Sequence, residues 1–248
     1  MPGYKLQETT TSRAQRFSVV GTYAQPNRDR FVRHVALLRD DCELYFGSLA
    51  TVRHTLPPIV AGEHSSQVLP QAYGQCAVHV VAYLEDLTAD EAAGIETTLA
   101  DIDVQTQLIG PAPALSHYVV DPPVLWVIDN VTGTKRFRKF SCVGFVLECY
   151  QEGAGICLLN LDGQFPPVDI ETLAAVYGNP VRNEKLRQRF GLTGPGEEWR
   201  IVVPGYVMHS LARTSSEVRQ LPYAARSADE ANFPADTAEN VAPGSGAS

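Results

Sequence analysis

The sequence predicts an α+β domain built on an antiparallel sheet. Three observations carry that expectation. Residues 17–23, 31–38 and 42–49 are short segments rich in β-branched and aromatic residues, with a tight polar turn between the last two. Residues 88–102 and 141–153 show apolar spacing of helical period between cap and stop residues. Residues 135–140 alternate as an exposed strand does and run straight into the second of those helices.

Each element follows in order. Residues 1–14 read as a loose polar arm. Asp40-Asp41 marks the turn between the strands at 31–38 and 42–49. A two-residue turn there places Leu38 opposite Glu43, Ala36 opposite Tyr45 and His34 opposite Gly47. Pro57, Pro58, Gly62, Pro70 and Gly74 make residues 54–75 a long loop, and residues 76–84 form an unusually apolar strand. Thr88 caps the next helix and Glu91 completes a capping box. Residues 110–123 are proline-rich and read as loop, residues 124–128 as a buried strand, and Thr132-Gly133 as the turn leading to residues 135–140. Ser141 is a good N-cap, and Gly153 ends that helix. Helices at 169–177 and 180–190 stop at Gly178 and Gly191, residues 199–203 form a short strand, and residues 206–213 a last helical turn or two. From about Arg226 the composition is too poor in apolar residues to fold alone. The domain is therefore expected over 15–222, with 223–248 a disordered tail.

Composition narrows the function classes. A chain of 248 residues with 44% hydrophobic content can bury one good core. A net charge of −8 argues against general nucleic-acid binding, which uses a broad basic surface. Five scattered cysteines, with no Cys-x-x-Cys pair, suit neither a disulfide scaffold nor a structural zinc site, and no metal or cofactor is expected. The first residues offer no apolar signal region and no run reaches the length of a membrane span, so a cytoplasmic protein without a membrane span is expected.

The chemistry centres on Cys142. As the first residue of a helix, its sulfur meets unpaired N–H groups and the positive end of the dipole, which favour thiolate over thiol and suit nucleophilic attack. The run Cys142-Val143-Gly144-Phe145-Val146, followed by Tyr150 and Gly155-Ile156, resembles the nucleophile motif of NlpC/P60-type papain-like proteins. His34-Val35-Ala36-Leu37-Leu38, with the strand after it, is similar to the strand pair carrying the catalytic histidine in that superfamily. A histidine preceding the cysteine matches its circularly permuted branch, which includes YiiX-like and lecithin:retinol acyltransferase-like proteins. The resemblance implies a papain-like fold with an antiparallel sheet packed on the nucleophile helix. It also implies attack on an amide or ester bond of a peptide-, amide- or acyl-containing substrate, through an acyl-enzyme.

The remaining roles stay open at this point. Glu43 is the candidate orienter of His34, with Tyr45 on the same face and Ser48 in reserve; the family offers a second histidine or a carboxylate near Phe46 and Gly47, and this chain does not. His209 is the alternative base, in an unpermuted order. His79 alternates within a strand and reads as an interior histidine, while His54, His64 and His117 read as exposed in proline-flanked loops. The cluster Lys135, Arg136, Arg138, Lys139 reads as a solvated strand face. A non-catalytic binding protein on the same scaffold is the competing class.

Overall fold

The computed structural model describes residues 4–5, 12–25, 29–54, 73–107, 119–193 and 198–233. It is a mixed α+β structure with antiparallel sheets. The strands up to the first helix are β1 (Tyr4–Lys5), β2 (Ser12–Ala14), β3 (Val19–Gln25), β4 (Asp29–Leu38), β5 (Cys42–Leu44), β6 (Leu49–Arg53), β7 (Tyr73–Ala77) and β8 (Val80–Ala82). After them come α1 (Ala89–Gln107), β9 (Val124–Ile128), β10 (Lys135–Phe140) and α2 (Cys142–Ala154). The chain continues with β11 (Val168–Asp169), α3 (Ile170–Tyr177), α4 (Glu184–Arg189), β12 (Glu198–Trp199), α5 (Pro204–Leu211) and α6 (Ser215–Gln220).

Six strands form the main sheet in the order β1-β8-β3-β4-β6-β7, every pair antiparallel. Only Val78 and His79 join β7 to β8, yet β3, β4 and β6 lie between those two strands in the sheet. The sheet must therefore roll until its ends approach. The Thr22 hydroxyl on β3 accordingly lies 2.8 Å from Cys76 Sγ on β7. The rolled sheet encloses small side chains, among them Val20, Ala36, Ala50, Val52, Cys76 and Val81. Its outer face, carrying Val19, Val35 and Leu37, packs with Ile95 and Leu99 of α1 and Val143, Val146 and Tyr150 of α2 in the larger core.

Alternation explains the faces, because successive strand residues point to opposite sides. In β4, Val35 and Leu37 turn outward to the helices and Ala36 and Leu38 inward. The two helices meet through glycine: a Cβ on Gly94 would stand 1.9 Å from the Gly153 carbonyl oxygen, so the α1–α2 contact is backbone against backbone. Thr88 and Glu91 form the expected capping box, with Thr88 Oγ1 accepting from the Glu91 N–H and the Glu91 carboxylate from the Thr88 N–H.

Several expectations are corrected. The strand after Asp40-Asp41 does not return along β4: β4 pairs with β6, Leu37 opposite Arg53 and Leu38 opposite Val52, and β5 pairs with β2. The reason is burial. β6 supplies Ala50 and Val52 to the enclosed face, whereas β5 has only Leu44 buried. Asp41 is drawn aside as well, accepting the Arg16 N–H at 2.5 Å. Residues 12–14 are thus part of a sheet rather than a loose arm, and Ala14 is buried. The domain also extends past residue 222. Phe233 is buried, its N–H bonds to the Arg30 carbonyl, and Asn232 bridges Phe31, because one large aromatic is enough to dock a polar segment. The proline-rich loops expected at 54–75 and 110–123 lie mostly outside the described residues, as do His64 and His117, although Tyr73–Ala77 is strand. The strand at 124–128, expected to be buried, is left half in solvent.

Candidate active site

Local sequence places the cysteine as expected. Ser141 N-caps α2, its side chain accepting the Gly144 N–H at 2.9 Å, and Cys142 is the first helical residue. The helix runs one residue beyond Gly153 and ends at Gly155, which adopts a left-handed conformation with φ 68°. Gly144 is obligatory for a steric reason: a Cβ there would stand 1.7 Å from the Pro123 carbonyl oxygen. The same carbonyl accepts the Ser141 N–H at 3.1 Å, so the entry to β9 clamps the start of α2.

Cys142 is half-buried, and the main-chain N–H of Val35 in β4 lies close enough to its sulfur to favour the thiolate. Strand geometry explains why that donor is available. Leu38 directs its main-chain groups to β3, through Ser18 and Phe17. Residues an odd number away, Val35 among them, direct theirs to the β6 side. The β4–β6 pairing stops at Leu37 opposite Arg53, so beyond it the Val35 N–H has no β6 partner and faces the sulfur. Cys142 therefore sits in the opening between β4 and the end of β6.

The two strands flanking that opening carry histidines. His34 lies on β4 opposite Thr22 of β3. His54 follows directly after β6 and is 8% exposed. Their rings meet edge to face with centroids 5.8 Å apart. Gly74 of β7 leaves room for the His54 ring, since a Cβ there would come within 2.6 Å of Nε2. Cys76 and, from α3, Tyr177 are close enough to Cys142 to interact with it electrostatically. The Tyr177 hydroxyl donates to the Val202 carbonyl at 3.3 Å.

Burial sets the protonation states. It pushes the Cys142 thiol up to about 11, against the N–H groups of Val35, Val143 and Cys142 itself, which favour the thiolate. Burial, reinforced by His54 and Arg33, pulls His34 down to about 3. The resting pair is thus a neutral thiol and a neutral imidazole. The thiolate expected from the helix N-terminus alone is not the resting form, because desolvation outweighs the dipole.

The other candidates lie as follows. Glu43, the expected orienter, is exposed on β5 opposite Arg13, and the ring that His34 meets is that of His54. Tyr45 is half exposed, and Ser48 Oγ accepts the Tyr45 N–H within their own turn. His209 on α5 has its Nε2 2.8 Å from the Asn232 carbonyl oxygen, stacks on Tyr223 and meets Phe233 edge to face. His79 is an interior histidine, its Nδ1 accepting the Tyr23 N–H at 3.1 Å. Cys149 is fully buried, and burial raises its thiol. In the basic cluster, Arg138 turns inward to Glu148 at 2.6 Å rather than lying on a solvated face. Among the described residues no group of three or more His, Cys, Asp or Glu side chains is placed to hold a metal ion.

Comparison with protein-family models, with curated proteins and with solved structures finds no match. The residue that sequence reasoning missed is His54. Its signal was there: in Leu49-Ala50-Thr51-Val52-Arg53-His54, alternation puts it on the face of Ala50 and Val52. The prolines that follow drew it into a loop instead.

Proposed function

We propose that this chain is a cysteine-nucleophile hydrolase or acyltransferase of papain-like architecture, acting on an amide or ester bond. One observation carries the reading: a cysteine at the first position of a capped helix has its sulfur near the main-chain N–H of Val35, the residue after His34 on β4, and the His34 ring meets a second histidine. In this reading Cys142 Sγ attacks the carbonyl carbon while His34, neutral at rest, takes the thiol proton. The N–H groups at the start of α2 hold the oxyanion. Collapse of the tetrahedral intermediate breaks the bond to the amine or alcohol, which leaves with the proton from His34. Water or an acceptor nucleophile then releases the acyl group from sulfur. His54 acts through His34, fixing its ring.

p-Nitrophenyl acetate tests this directly. The expected result is a burst of p-nitrophenolate with one acetyl group on Cys142 by mass spectrometry, absent in Cys142→Ala. His34→Gln should slow acylation by about 10²- to 10⁴-fold. Equal release from Cys142→Ala, or acetylation elsewhere, overturns the reading. The thiol pushed up to about 11 favours one other reading, a binding protein that keeps the scaffold. Folded protein that never acylates at Cys142 would select it.

A further inference from the structure

The apolar run Val124-Leu125-Trp126-Val127-Ile128 has the composition of a core strand, yet the fold leaves it half out. Leu125 is 39% exposed, Ile128 51% and Val131, in the turn, 94%. The returning strand is basic. Register sets Lys139 opposite Leu125, Arg138 opposite Trp126 and Lys135 opposite Ile128. The Lys135 ammonium lies over the Trp126 ring, 4.8 Å from its centroid. Arg138 is consumed by Glu148, and Arg136 lies 4.0 Å from Asp129, the hairpin's one carboxylate. Neither Lys135 nor Lys139 has a carboxylate partner among the described residues.

We propose that the β9–β10 hairpin docks on an anionic lipid surface. Exposed Ile128 and Val131 lie toward the tip, the Trp126 ring is set back from them, and Lys135 and Lys139 line the neighbouring strand. That layering matches an apolar slab beneath a layer of lipid phosphates, with tryptophan at the interface. A nucleic acid would make no use of the exposed aliphatic tip. The net charge of −8 does not forbid docking, because charges more than about 10 Å from the lipid are largely screened at 0.1 M salt. Docking of this kind is peripheral: no helix among the described residues is long and apolar enough to cross a membrane.

Flotation of the full chain with vesicles of phosphatidylcholine, alone or mixed with phosphatidylserine, tests the proposal. Binding is expected only to the mixed vesicles and should fall as salt rises. Lys135→Gln and Lys139→Gln should each lower the partition coefficient about fivefold, and Val131→Asp should lower it further. Val131 is almost wholly exposed, so its substitution leaves the melting temperature unchanged. Equal binding to both vesicle types, no binding to either, or variants that bind like the parent overturn the proposal. So does capture of an acidic protein in place of the vesicles.

Discussion

At the scale of residues, the site is a contest between burial and helix polarity, and burial wins at both Cys142 and His34. This has a sign that can be measured. His34 titrates near 6.5 when unfolded and near 3 when folded. Between those values the unfolded chain holds a proton that the folded one does not, so stability is complete above about 6.5 and is lost as the pH falls through that window. The expected slope is about 1.4 kcal/mol per pH unit for this one group. Denaturant unfolding of His34→Gln from pH 7 to 4 should show a shallower slope than the parent. A residual slope remains, since burial also lowers His79. The Ser141 cap, the place of Cys142 at a helix start and that of His34 on a strand were legible in the sequence, because capping and strand alternation are local signals. The protonation states were not, since burial depends on what distant segments bring to the site.

Single elements show how rigidly Cys142 is held. Ser141 and Gly144 act on the same turn of α2, one by accepting a hydrogen bond and the other by leaving space for the Pro123 carbonyl. Gly144→Ala should cost at least about 3 kcal/mol, since the contact is backbone and cannot swing aside. Ser141→Ala should cost about 1–2 kcal/mol, the loss of one buried cap. If Gly144→Ala unfolds at the parent's denaturant concentration, the clamp between Pro123 and α2 is not as drawn. The sequence also held a signal for α6 that went unread: Thr214 and Glu217 form a capping box of the same kind as Thr88 and Glu91. What no local signal carried was the choice of strand partner for β4. Both β5 and β6 follow it closely, and the decision rests on which one has more apolar surface to bury.

For the whole molecule, the rolled sheet and the docked C-terminal segment matter most. The sequence made the α+β class legible, with an antiparallel sheet beside a capped helix, but set the domain end too early, because composition was averaged over a segment in which Phe233 alone decides. Tyr23 Oη donates to the Phe233 carbonyl at 3.4 Å, and the ring is 2% exposed. Phe233→Ala should therefore destabilise the domain by about 3–5 kcal/mol in denaturant unfolding. A change below about 1 kcal/mol would show that the segment merely rests on the surface. Its docking partners also impose an order in time. The Arg30 carbonyl and Phe31 are made long before Asn232 and Phe233, the residues that pair with them. Until those two emerge, the first long strand pair stands uncovered along this edge, where a chaperone could bind.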